Sequence, residues 1–199
     1  MQLVLDLATP VEPNFDNFIA GPNAEAVAAV RSFAAGGEAV MYLWGEPGSG
    51  RTHLLKAAAR SNPALLIADD VETLDENAQQ RLFAAINAAR EGAAPVLAAG
   101  RLPPAQLALR EDLRTRLAWG LVYQLKPLSD AEKALHLRAE AARRGLRLPE
   151  EVVGYLLTRL PRDLPSLNGV LDALDRYSLS AKRPVTLPLV REALERKIR

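Results

Sequence analysis

The sequence predicts an α/β protein in which a parallel sheet is sandwiched by helices and is followed by an all-helical segment. Three observations carry that prediction. Short apolar runs bounded by glycine, proline or acids alternate with helix-forming stretches up to about residue 128, the pattern of strand–helix–strand units. Beyond Ser129 the strand-like runs cease and only helical stretches remain. Between the first apolar run and the helix after it lies Gly45-Glu-Pro-Gly-Ser-Gly50-Arg51-Thr52, a glycine-rich turn in strand–loop–helix context.

Residues 1–23 read as an extended arm, rich in Pro and Asn and carrying Phe15 and Phe18, ahead of a helix from about Glu25 to Ala35. Ala39-Val-Met-Tyr-Leu-Trp44 is a continuous apolar run ended by glycine, so it reads as a strand buried on both faces. Thr52–Arg60 is helix-forming and Asn62-Pro63 stops it; Ala64-Leu-Leu-Ile-Ala-Asp-Asp70 is then a second buried strand ending in two acids. Glu76–Arg90 is the next helix, with Leu82, Phe83, Ile86 and Ala89 at helical spacing. Gly92 leads into a third strand, Ala94–Ala99, broken by Gly100-Arg-Leu-Pro-Pro104. A short helical or irregular segment precedes a fourth strand, Leu121–Leu125, closed by Lys126-Pro-Leu-Ser-Asp130. The helical segment divides into 130–144 ending at Gly145, 149–160 ending near Pro161, 163–180 and 188–198. Ser129, Pro149 and Pro188 stand near helix starts. The predicted organisation is an arm over 1–23, an α/β core over 24–128 and a helical domain over 129–199.

Composition narrows the function classes. With 25 Lys+Arg against 24 Asp+Glu in 199 residues, the chain is neither a globally basic nucleic-acid binder nor a disordered chain, so any contact with DNA is expected to be indirect or weak. The absence of cysteine excludes disulfides and thiolate metal sites, and His53 and His136 are too far apart in sequence to suggest a His-rich one. No apolar run approaches the roughly 20 residues of a membrane helix and the start lacks a basic leader, so a cytoplasmic protein without membrane contact is expected.

The chemistry concentrates in the glycine-rich turn. Its spacing is that of a phosphate-binding loop: glycines let backbone N–H groups converge on phosphate oxygens, the following helix contributes its N-terminal dipole, and the Thr52 hydroxyl can ligate Mg²⁺. Arg51 stands where lysine is usual; a planar guanidinium keeps the charge but changes the geometry offered to a phosphate. Asp69 and Asp70 end a strand, as a Mg²⁺-ordering acid and a water-activating acid would, although many strands end in Asp because a loop begins there.

Beyond these motifs, Asn14-Phe-Asp-Asn-Phe-Ile-Ala-Gly-Pro-Asn23, Tyr42-Leu-Trp-Gly45, Gly50-Arg-Thr-His-Leu-Leu55, Arg116-Leu-Ala-Trp-Gly120 and Leu125-Lys-Pro-Leu-Ser-Asp130 resemble the replication-initiator type of AAA+ P-loop NTPase. Arg51, a hydroxyl residue and His53 in succession resemble the DnaA-related regulatory inactivators of the Hda type more than the initiator, where lysine is expected. The resemblance covers nearly the whole chain.

The resemblance implies roles residue by residue. Gly45, Glu46, Pro47, Gly48, Ser49, Gly50, Arg51, Thr52 and His53 would hold ADP or ATP, Thr52 and Asp69 would hold Mg²⁺, and Asp70 would be the catalytic acid. Phe18 and Ile19 would lie near the base, and Arg162 would be the phosphate-sensing arginine of a helical lid. Arg116 matches an arginine finger that acts in trans on nucleotide held by a neighbouring subunit; from spacing alone it is equally a surface arginine of the segment Arg110–Arg116. Gln2, Leu3, Leu5 and Leu7 resemble a peptide that grips the DNA polymerase III sliding clamp, an extended segment placing alternating leucines in an apolar groove. The alternative is an N-terminal strand that pairs with its own domain.

Two departures from the family pattern are visible. Seventeen positions separate Thr52 from Asp69, which leaves no room for the strand–helix unit usual there. The parallel order 5-1-4-3-2 then shrinks to 5-1-4-3, and the strand ending at Asp70 becomes a sheet edge, expected to be shielded by Arg60–Pro63, by the Val71–Asn77 loop or by another subunit. After the third strand, Arg101 stands where a polar or acidic sensor is expected; with Arg51 this implies weak or no intrinsic ATPase. The initiator's C-terminal DNA-binding domain has no counterpart before Arg199, so a stand-alone origin binder is not expected. The resemblance implies a negative regulator of replication initiation that promotes hydrolysis of DnaA-bound ATP. The alternatives are an autonomous, self-assembling AAA+ ATPase and a nucleotide-stabilised clamp adaptor without stimulating activity.

Overall fold

Strand β1 (Val40–Trp44) pairs in parallel with β3 (Val96–Gly100) on one side and with β4 (Leu121–Gln124) on the other. Strand β2 (Leu66–Ala68) pairs in parallel with β3, giving the order β2-β3-β1-β4. This is the shortened sheet expected from the sequence, with β2 at one edge. Parallel neighbours cannot be joined by tight turns, so the chain crosses between them through helices α2 (Arg51–Ser61), α3 (Glu76–Arg90) and α4 (Glu111–Leu117). Helix α1 (Ala24–Ala35) precedes β1. The computed structural model describes residues 12–159, 164–181 and 183–198, in two compact units that divide between Pro127 and Leu128.

Successive side chains of a strand point to opposite faces, and the core divides accordingly. Met41, Leu43, Leu97 and Ala99 pack with Val30 and Phe33 of α1 and with Leu54, Leu55 and Ala58 of α2. Val40, Tyr42, Val96 and Ala98 pack on the other face with Leu82, Ile86 and Ala89 of α3 and Leu113 and Leu117 of α4. With both faces covered, β1 and β3 read as unbroken apolar runs rather than alternating ones.

The edge strand differs from its sequence reading. The run Ala64–Asp70 reads as a buried strand, yet only Leu66–Ala68 is strand, and Leu66 and Ile67 are 46% and 38% exposed while Leu65 is buried. An apolar run does not reveal how many neighbours a strand will have; here β3 is the only one. Neither Arg60–Pro63 nor Val71–Asn77 removes these two side chains from solvent.

One polar contact ties the start of this unit to its exit. Asn23, 4% exposed at the beginning of α1, donates through Nδ2 to the Lys126 carbonyl and accepts from the Lys126 N–H through Oδ1, both at 2.8 Å. The irregular chain leaving β4 thereby pairs both backbone groups of Lys126.

The second unit contains α5 (Asp130–Arg143), α6 (Glu150–Arg159), α7 (Leu164–Ala181) and α8 (Leu187–Ile198). Helix α5 opens with a capping box in which the Ser129 side chain accepts from the Glu132 N–H and the Glu132 carboxylate accepts from the Ser129 N–H. Donation by the Ser129 hydroxyl and then by its N–H holds the Glu132 carboxyl below the usual range. Gly145 leaves α5 at φ 73°. Val152 and Leu156 of α6 pack with Leu174 of α7 and Leu189 of α8, and Leu137 of α5 packs with Val153, Leu167 and Leu171. Among the described residues no helix is long and apolar enough to cross a membrane.

Asn23→Ala removes both bonds to Lys126, through which the start of α1 holds the chain leaving β4. A urea titration should show the first unit losing about 2 kcal/mol of unfolding free energy.

Candidate functional site

The glycine-rich loop joins the C-terminal end of β1 to α2, at the strand ends where parallel sheets bind ligands. Gly45 is required by close approach, since a Cβ there would overlap the Leu125 carbonyl oxygen. Gly50 is required twice over: its φ is +96°, and an added Cβ would stand 2.6 Å from Phe18 Cε2. Inside the loop the Ser49 N–H donates to the Glu46 carbonyl at 3.1 Å. Gly50 is the N-cap of α2, and the Leu54 N–H makes a bond to its carbonyl at 3.0 Å. The first N–H groups of a helix have no intrahelical partner, so the opening turn of α2 offers donors to an anion. Ser49 Oγ and Arg51 Nη1 are both buried and without a hydrogen-bond partner. Open amides, an orphaned hydroxyl and an orphaned guanidinium nitrogen are the donor set that fits a phosphate group.

The acids after β2 face this loop. Thr52 Oγ1 donates to Asp69 Oδ2 at 2.6 Å, so the hydroxyl and carboxylate expected to share a cation are already adjacent. Arg51 Nη2 donates to Asp70 Oδ1 at 3.1 Å, and Nη1 lies 4.0 Å from Glu72 Oε1. Asp70 is the one non-glycine residue with positive φ, 43°, among the described residues. That conformation costs on the order of 1 kcal/mol and is held by the Thr73 N–H and hydroxyl, which both donate to the Asp70 carbonyl at 2.8 Å. Arg101 is turned onto Glu72: its N–H donates to Glu72 Oε1 at 3.1 Å and its Nε lies 3.3 Å from that oxygen. Behind Glu72 the Tyr42 hydroxyl donates to the Leu102 carbonyl at 2.8 Å, and burial, followed by the charge of Glu72, pushes its phenol up. Glu72 is a residue that the sequence reading missed; its only signal was a third acid two positions after the pair.

The arm packs on the loop. The Phe18 ring, beside Gly50, meets His53 edge-on, with centroids 5.2 Å apart and planes at 67°. His53 Nε2 donates to the Asn14 carbonyl at 2.9 Å. Ile19 is half-buried next to Phe18, while Glu46, Pro47 and Gly48 form the exposed crest of the loop. Gln2, Leu3, Leu5, Leu7 and Arg162 lie outside the described residues.

Arg116 belongs to a separate place. It sits in the last turn of α4, where Nε donates to Asn87 Oδ1 at 2.8 Å. Its guanidinium carbon is 3.5 Å from the Trp119 ring centroid and 5.2 Å from that of Phe83. Arg90 lies over the same indole at 4.2 Å, and Trp119 is 44% exposed. Phe83, Asn87 and Arg90 follow one another at i, i+4 and i+7 and so share one face of α3. Among the described residues no carboxylate comes within ion-pair distance of Arg90 or Arg116. Asn87 and Arg90 were invisible to motif reading; a polar residue inserted beside the apolar stripe Leu82, Ile86, Ala89 was the available hint.

Comparison with solved structures defines the fold. Domain III of the replication initiation protein DnaA from Thermotoga maritima is 21% identical, with 93% of this chain and 96% of that one aligned at a TM-score of 0.75. AMPPCP-bound DnaA from Aquifex aeolicus is 20% identical over 84% of this chain and 66% of that one, at 0.69. The Holliday junction branch migration motor RuvB of Thermotoga maritima is 17% identical over 92% and 71%, at 0.66. The fold is that of the AAA+ P-loop proteins, with a helical lid. Residues 130–194 match the family described as Hda, lid domain.

Because Asp70 competes for the loop's cation, Asp70→Asn is expected to tighten binding of ADP. The carboxylate is 45% exposed and screened, so the gain should be about 1 kcal/mol, roughly fivefold in Kd by titration calorimetry. Unchanged or weaker binding would show that the Arg51–Asp70 pair does not oppose the ligand.

Proposed function

We propose that this protein is a negative regulator of replication initiation that promotes hydrolysis of ATP held by DnaA, with Arg116 acting in trans as an arginine finger. The single observation that carries the reading is the contrast between two arginines. Arg51 in the chain's own phosphate loop is engaged by Asp70 and lies close to Glu72, whereas Arg116 is half-buried with no ion-pair partner among the described residues and donates through Nε to Asn87. A cation already paired with carboxylates is poorly placed to stabilise charge developing on a transferred phosphate, and one without a carboxylate partner is well placed to do so. The Hda lid match and the DnaA-like fold support the choice of partner.

In this reading the chain is built from the arm 1–23, the core 24–128 and the lid 129–199. Nucleotide, ADP or ATP, is held by Gly45–His53 with Phe18, Ile19 and Arg162, and Thr52 and Asp69 hold Mg²⁺, which supplies charge neutralisation for the phosphates. DnaA structures of the same fold include AMPPCP complexes, which supports nucleotide binding here. The bound nucleotide has a structural role, and the chemistry takes place in the partner's site. Gln2, Leu3, Leu5 and Leu7 grip the sliding clamp, the arm serves as the tether, and the protein works in the cytoplasm.

The test is a single-turnover assay of radiolabelled ATP pre-bound to DnaA, with clamp loaded on DNA. Wild type should accelerate ADP formation, and Arg116→Ala should lower the stimulated rate by about 100-fold or more. Equal rates for the two proteins, or no acceleration by either, would overturn the assignment.

A further inference from the structure

The surroundings of Arg116 contain two groups that do more than pack. We propose that Asn87 and Trp119 are positioning residues for Arg116, which together fix both the plane and the in-plane orientation of its guanidinium before a partner arrives. This rests on the trans-acting role of Arg116 and extends it to residues on a second helix.

A guanidinium is planar, with one N–H on Nε and two on each terminal nitrogen. Left alone at a helix end it samples many rotamers, and immobilising such a side chain on contact with a partner weakens the contact. Here two independent restraints remove that freedom. Trp119, at 3.5 Å from its centroid, lies close enough to Arg116 to restrain the guanidinium against its ring. The bond from Nε to Asn87 Oδ1 at 2.8 Å then fixes rotation within that plane, because it anchors the group at the end nearest its own stem. The edge formed by Nη1 and Nη2 is left as the outward end. That edge offers two parallel N–H donors, the geometry that takes two oxygens of one phosphate at once.

The electrostatics favour the same ligand. Arg90 shares the indole with Arg116, so two cations stand on one ring with no carboxylate within ion-pair distance of either among the described residues. Their mutual repulsion is relieved when an anion arrives at the outer edge. Asn87 suits the anchoring position because its amide oxygen accepts from Nε without neutralising the charge, as an aspartate there would. Asn87 comes from α3 and Arg116 from α4, so the packing of Leu82 and Ile86 against Leu113 and Leu117 sets their spacing. The arrangement is therefore a property of the folded core rather than of a loop.

Two measurements on the full chain test the proposal. In ¹⁵N spectra the Arg116 Nε–H should exchange slowly with water in wild type. It should exchange rapidly in Asn87→Ala, with the backbone spectrum otherwise unchanged, since alanine preserves the helix. In the DnaA-bound ATP assay Asn87→Ala should lower the maximal stimulated rate by about tenfold while the concentration for half-maximal stimulation stays within about twofold, the signature of misplacement rather than lost binding. Trp119→Phe, which keeps an aromatic face, should retain most of the rate that Trp119→Ala loses. A fast-exchanging Nε–H in wild type, or an Asn87→Ala protein with lost protection but full rate, would overturn the proposal. Because Arg116→Ala is run alongside, an inactive Arg116→Ala with a fully active Asn87→Ala would refute the positioning role alone. An active Arg116→Ala would refute the finger itself.

Discussion

The first unit depends on one constraint: β1 is buried on both faces and paired on both edges. A strand in that position can hand the chain on only at its end, and the first residue beyond it, Gly45, must pass the Leu125 carbonyl too closely for any side chain. The loop and the opening turn of α2 are thereby set at the C-terminal edge of the sheet. The end of β2 comes to the same edge because β3 lies between it and β1 in parallel register. The meeting of Thr52 with Asp69 and of Arg51 with Asp70 is a consequence of strand order, across 17 and 19 residues of chain.

Two arginines on this scaffold show how surroundings decide the use of one side chain. Arg51 is 9% exposed and stands among Asp70, Glu72 and, through Glu72, Arg101, so the loop is close to charge balance before any ligand binds. Breaking such a pair leaves an uncompensated charge in a poorly solvated place, so the pair holds the loop in its shape. Arg116 has an amide and an aromatic face as its neighbours, which orient it and leave its charge intact.

How much of this was legible in the sequence follows from the range of each interaction. Helix α3 and the loop could be read because apolar periodicity and glycine spacing are local properties, and α5 because Ser129 and Gly145 mark its two ends chemically. The exposure of Leu66 and Ile67 could not be read from an apolar run, which looks the same at the edge of a sheet as in its middle. Asn87 and Arg116 are 29 residues apart, as are Glu72 and Arg101, and each pair meets only through the order in which strands and helices pack. The partner of Arg51 also turned on a single backbone angle at Asp70, a residue type that tolerates the left-handed region without announcing it.

The chain contains two tryptophans, and the fold puts one beside the glycine-rich loop and the other beside Arg116. Trp44 is the last residue of β1, directly before the phosphate loop, and Trp119 is the indole over which Arg90 and Arg116 lie. The protein therefore carries its own pair of optical reporters. Replacing either tryptophan by phenylalanine leaves a chain whose tryptophan emission, excited apart from that of its tyrosines, tells of one place alone, so events at the loop and beside Arg116 can be followed separately in an otherwise unlabelled molecule.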